Sequence, residues 1–90
     1  MPVQYDIIVY GRVQGVGFRA AARNQARSMN LKGWVENNKD GSVHIVVSGN
    51  QEQCGQLIQW CRNGSGYSWV ERLEIKEMSQ GQLSAFFIKY

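Results

Sequence analysis

The segment Gly11-Arg12-Val13-Gln14-Gly15-Val16-Gly17-Phe18-Arg19 holds the residues best suited to chemistry. Gly11, Gly15 and Gly17 let the backbone turn so that its N–H groups converge on one point. A helical pattern begins at Phe18, so the loop also delivers the unpaired N–H groups and positive dipole end of a helix N-terminus. Arg19 falls in the first turn, where its planar fork of donors can take two oxygens of one anion. The ligand class that such a loop favours is an anion. A glycine loop alone is a weak sign, and Arg19 alone reads as a solvated helix residue; loop, helix start and arginine together point to an anion site.

Other chemistries find less support. His44 is the single histidine, and Cys54 and Cys61 are the two cysteines. Neither set completes a zinc or other metal signature, so no metal and no cofactor are expected. The two cysteines lie seven residues apart on one helical face, about 10 Å by helix rise, too far to bridge each other; both read as small core hydrophobes. His44 reads as a strand residue with no catalytic role. Ten Lys and Arg against seven Asp and Glu leave a net charge of +3, which suits an anionic ligand but is no dense basic stripe for nucleic acid. No apolar run is long enough to span a bilayer, and Met1-Pro2-Val3-Gln4-Tyr5-Asp6 lacks the form of a secretory signal, so the expected compartment is the cytoplasm.

The elements that must position the loop follow from periodicity. The 90 residues, 43% hydrophobic and 19% charged, are expected to form one domain over 1–90, with a monomer as the default. Tyr5–Tyr10 reads as a strand, rich in β-branched and aromatic side chains. Phe18–Met29 reads as a helix, its apolar side chains recurring at three and four, with Asn30 as a left-handed terminator and Leu31 packing back on the last turn. Gly33–Asn37 and Ser42–Ser48 read as strands of an antiparallel hairpin, joined by the turn Asn38-Lys39-Asp40-Gly41. Asn50 is placed to cap a second helix with Gln53 at the capping-box position, and Cys54, Leu57, Ile58 and Cys61 form its apolar stripe. A Gly- and Ser-rich connection, Arg62–Ser68, leads to a strand over Trp69–Met78, a turn at Ser79–Gln82 and a last strand over Ala85–Tyr90. Trp34, Phe18, Phe86 and Ile88 are expected in the core. The order is β-α-β-β-α-β with one extra strand: an α+β, ferredoxin-like split β-α-β sandwich, an antiparallel sheet of four to five strands with both helices on one face.

Two other readings are testable against that order. Gly15-Val16-Gly17-Phe18-Arg19-Ala20 fits a dinucleotide fingerprint with Glu36 near the place of a ribose-binding acid, but a dinucleotide fold needs a parallel second strand where this chain makes a hairpin. The same strand order serves an RNA-binding module, but Ser42–Ser48 has no aromatic residue on which a base could stack.

The motifs themselves resemble those of the acylphosphatase family. Gly-Arg-Val-Gln-Gly-Val-x-Phe-Arg, from Gly11 to Arg19, is similar to its first signature. Gly33-Trp34-Val35-Glu36-Asn37, Gly41-Ser42-Val43 and Gly49 are similar to its second, and the end of the second helix and the closing Phe-Phe-Ile-Lys-Tyr also look like the family. Three departures stand out. Glu36 replaces a basic or small neutral residue, Asn30 replaces a helix-ending glycine, and the connection after the second helix lacks a proline. Of these, Glu36 bears on the site, because a negative charge there weakens anion binding.

The resemblance implies a stand-alone, metal-independent acylphosphatase that hydrolyses small-molecule acyl phosphates, with inorganic phosphate or sulfate as competing ligands. It implies the phosphate loop at Gln14–Arg19, Arg19 as the catalytic arginine and Asn37 as the residue that positions water. A carboxylate leaving group, whose conjugate acid has a pKa of roughly 4, departs without a general acid. The absence of His, Asp or Cys from the motif is compatible with such a mechanism. Asn37 without the resemblance reads as a turn former, as its neighbour Asn38 does. A non-catalytic or carbamoyl-phosphate-handling relative stays open as an alternative. No motif marks the acyl-group pocket.

Overall fold

The computed structural model describes residues 2–64, 66–79 and 83–90. The elements run β1 (Pro2–Arg12), α1 (Phe18–Ser28), β2 (Lys32–Asn37), β3 (Val43–Asn50), α2 (Gln51–Asn63), β4 (Trp69–Met78) and β5 (Phe86–Ile88). The strands form one sheet in the order β4-β1-β3-β2-β5, so the architecture is the ferredoxin-like α+β sandwich. The turn expected at Ser79–Gln82 lies largely outside the described residues.

Strand pairing explains where the elements exceed the local pattern. β1 is longer than Tyr5–Tyr10 because it has partners at both ends, Pro2 opposite Asn50 of β3 and Arg12 opposite Trp69 of β4. The pairs β1–β3, β1–β4 and β2–β3 are antiparallel, as expected. The pair β2–β5 is parallel, with Val35 opposite Ile88, so the sheet is mixed at this edge. β4 lies at the far edge, so the chain crosses the sheet before β5 and enters beside β2 in the same direction as β2.

The alternation of each strand sorts its side chains to two faces. Ile7, Val9, Val35, Val43, Ile45, Val47 and Phe86 are buried beneath the helices. Phe18, Ala22 and Ala26 of α1 and Cys54, Leu57 and Cys61 of α2 complete that core, with Ile58 packed at its margin. Burial pushes the Cys54 thiol up to about 11 and the Cys61 thiol up to about 12, so both remain protonated at neutral pH. Gly33 belongs to this layer for a backbone reason: a Cβ there would sit 1.7 Å from the Val46 carbonyl oxygen of β3.

Trp34 departs from the expectation of a core residue. It is one position out of phase with Val35, and its register partner is Val46. It is therefore only half-buried, on the face away from the helices, where Lys89 Nζ lies 5.1 Å from its ring centroid. Ile88 is half-buried rather than enclosed. Asn30 adopts the left-handed conformation (φ 57°), and Leu31 N–H returns to the Ala26 carbonyl, closing α1 as its sequence suggests.

Candidate active site

The two helices begin differently. At α2, the Asn50 side chain accepts hydrogen bonds from the N–H groups of Glu52 and Gln53, and Glu52 adds negative charge to the first turn. At α1 the cap is Gly17, in the left-handed conformation (φ 77°), with no side-chain cap and no acid in the first turn. Non-glycine residues adopt that conformation rarely. A Cβ at Gly15 or Gly17 would meet no atom within 4 Å, so the backbone of the loop faces open space. The first hydrogen bond of α1 runs from Ala21 N–H to the Gly17 carbonyl, which leaves the N–H groups of Phe18, Arg19 and Ala20 ahead of the helical ladder. Phe18 anchors this end: it is 1% exposed, and its ring lies 5.3 Å from that of Trp60 on α2.

A cleft of about 180 Å³ opens at this point, lined by Val13, Gly15, Gly17, Phe18, Arg19, Ala20, Ile88 and Tyr90. Gly15, Gly17, Phe18 and Arg19 of the expected cradle line it. Val16 instead packs against the core. The Arg19 guanidinium lies over the Tyr90 ring, 5.1 Å from its centroid. A cation at that distance is attracted to the negative face of the ring.

Ile88 and Tyr90 carry no sequence mark of a site. They reach the cleft because β5 runs parallel to β2 with Val35 opposite Ile88, and the Lys89 N–H still donates to the Val35 carbonyl beyond the end of the strand. α1 packs across both strands, and Arg27 Nε donates to the Phe86 carbonyl at 2.9 Å.

Asn37 ends β2 and is exposed; it is not among the residues lining the cleft. It shares the helix-side parity of Val35, and its register partner is Val43. The turn that follows is closed by Asn38 N–H to the Ser42 carbonyl (2.9 Å) and by Asn38 Nδ2 to Ser42 Oγ (2.9 Å). Asp40 Oδ1 accepts from both the hydroxyl and the N–H of Ser42, which holds the Asp40 carboxyl below its ordinary range. Asn38 is thus a turn residue, as read from the sequence. Gln14 is absent from the cleft lining, but its side-chain Nε2 donates to the carbonyls of Asn38 (2.7 Å) and Ser42 (2.8 Å). Nothing in the motif announces that side-chain role.

Glu36 is held on the opposite face. Alternation turns it away from Asn37, toward Trp34 Nε1 (3.1 Å), Lys89 Nζ (3.8 Å) and His44 Nδ1 (3.7 Å). His44 Nε2 in turn pairs with Asp6 of β1. The negative charge that the sequence sets beside Asn37 is therefore carried to the far face of the sheet, among three nitrogen partners.

Known proteins resemble this chain in sequence and in fold. The acylphosphatase family matches residues 5–88. An acylphosphatase of Chloroflexus aurantiacus is 44% identical over 73 residues, 81% of this chain and 79% of that one. The crystal structure of an acylphosphatase from Bacillus subtilis superposes with a TM-score of 0.95 at 39% identity, covering 98% of this chain and 99% of the other. Full-length HypF, in a phosphate- and nucleotide-bound form, contains a similar unit: TM-score 0.93 at 28% identity, covering all of this chain (100%) and 12% of that one. With both signatures in place, the match along nearly the whole chain and the shared fold, this protein belongs to the acylphosphatase family of enzymes.

Proposed function

We propose that the chain hydrolyses acyl phosphates to a carboxylate and inorganic phosphate, with the loop Gln14–Arg19 as phosphate cradle and Asn37 as the residue that positions water. The observation that carries this reading is the open N-terminus of α1: uncapped, free of acidic side chains and fronting a cleft that also holds the Arg19 guanidinium. Backbone N–H groups and a two-point guanidinium suit a phosphoryl group whose charge is redistributed during transfer. The Asn37 side-chain amide holds the attacking water. The water oxygen bonds to phosphorus as the bond from phosphorus to the acyl oxygen breaks. The carboxylate leaves with the electron pair, and the water proton passes to a phosphoryl oxygen. A carboxylate with a conjugate-acid pKa of roughly 4 needs no protonation to depart, so no general acid has a step to perform, and the cradle and Arg19 supply the positive charge that a metal would otherwise bring. Charge stabilisation and alignment are then the protein's whole contribution. We assign the acyl group to the apolar wall of the cleft, Ile88 and Tyr90.

The test is hydrolysis of a simple aromatic acyl phosphate before and after exhaustive chelation. Release of carboxylate and phosphate at an unchanged rate is expected. Activity that is lost on chelation and restored by zinc or magnesium would contradict the metal-free step, and no hydrolysis at all would contradict the reaction.

A further inference from the structure

We propose that Gln14 is a positioning residue whose side chain fixes the hairpin carrying Asn37 relative to the phosphate loop. The proposal rests on the reading of Asn37 as the group that holds water. The two halves of the site belong to different units of the fold. The cradle lies between β1 and α1, whereas Asn37 ends β2 at the mouth of the β2–β3 hairpin. β1 and β3 are paired as far as Val9 opposite Val43, so the loop after β1 and the turn Asn38–Ser42 both lie beyond the last rung of that ladder and need a joint of their own.

Gln14 supplies that joint. One nitrogen, Nε2, donates to Asn38 O at 2.7 Å and to Ser42 O at 2.8 Å, across 24 and 28 residues of chain. An amide nitrogen has two hydrogens, so both donors are used. The two acceptors stand on the two legs of the hairpin: Asn38 directly follows Asn37, and Ser42 directly precedes Val43, the register partner of Asn37. Each carbonyl also takes a hydrogen bond from within the turn, Asn38 O from Gly41 N–H and Ser42 O from Asn38 N–H. Gln14 thus fills the remaining acceptor capacity of a turn that is already closed. The clamp is partly buried, which shields it from competing water. Gln14 thus has two parts under this reading: its backbone opens the proposed cradle, and its side chain holds that loop to the hairpin.

The experiment is a double-mutant cycle over Gln14→Met and Asn37→Ala. Methionine keeps the length of the side chain and removes both donors. Gln14→Met is expected to lower kcat by about 10- to 10²-fold, the scale of a small misplacement of a reacting group, while inhibition by inorganic phosphate stays unchanged. In the Asn37→Ala background the same change is expected to cost little more, because no amide is left to position. Amide signals of Asn37 and Asn38 are expected to move, with phosphate-induced shifts at Gly15–Arg19 retained. Gln14→Asn, which withdraws the amide by one methylene, is the second variant and is expected to show the same pattern. Additive losses, full turnover in a folded Gln14 variant, or parallel loss of phosphate affinity would each overturn the proposal. Full turnover of Asn37→Ala is a separate result: it would overturn the water-positioning reading and, with it, the role given to Gln14.

Discussion

Arg19→Lys is expected to lower turnover by roughly 10²-fold or more, although the charge is kept, a loss on the scale of removing one preorganised donor from a transition state. Lysine presents a point charge on a flexible stem and cannot hold two oxygens in one plane. Phosphate binding is expected to weaken in parallel, because the same donors serve ground and transition states. The fold is expected to survive, since Arg19 is half-buried and the anchor of the helix start is its neighbour Phe18. Steady-state kinetics with phosphate inhibition check both parts. Near-normal kinetics would show that a diffuse positive charge suffices.

Asn37→Ala is expected to behave differently. Turnover falls by about 10²-fold or more, equivalent to about 3 kcal/mol of transition-state stabilisation, with phosphate affinity nearly unchanged. The distinction follows from the roles proposed: Arg19 lines the cleft, whereas Asn37 ends β2 and is not among the residues that line it. Asn38→Ala is the internal control. It removes the 2.9 Å bond from Nδ2 to Ser42 Oγ and leaves the backbone bonds of the turn in place. Its expected cost is about 1 kcal/mol of stability, with turnover retained. A folded Asn37→Ala protein with full activity, or an Asn38→Ala protein that is the inactive one, would reverse the assignment.

The parts of the fold visible in the sequence are those written in local pattern. The start of α1 at Phe18, the left-handed Asn30, the Asn50 cap and the span Trp69–Met78 each depend on residues within one or two turns of chain. Trp34 shows how residue type can mislead. Its size suggests a core position, but strand parity with Val35 and Gly33 fixes it on the other face. The same parity carries Glu36 away from Asn37. The direction of β5 left no local mark, because it depends on where β4 ends up in the sheet. For the site, the loop and Arg19 were legible because loop glycines and a helix start adjoin in sequence. Ile88, Tyr90 and the Gln14 clamp were not, since each acts on residues more than twenty positions away.

Titration of the protein with inorganic phosphate, followed residue by residue through backbone amide signals, tests the site most directly. The expected result is a saturable shift concentrated from Gly15 to Arg19 and lost in Arg19→Lys at the same phosphate concentrations. Shifts that fall elsewhere on the protein and spare Gly15–Arg19 would contradict the assignment of the cradle.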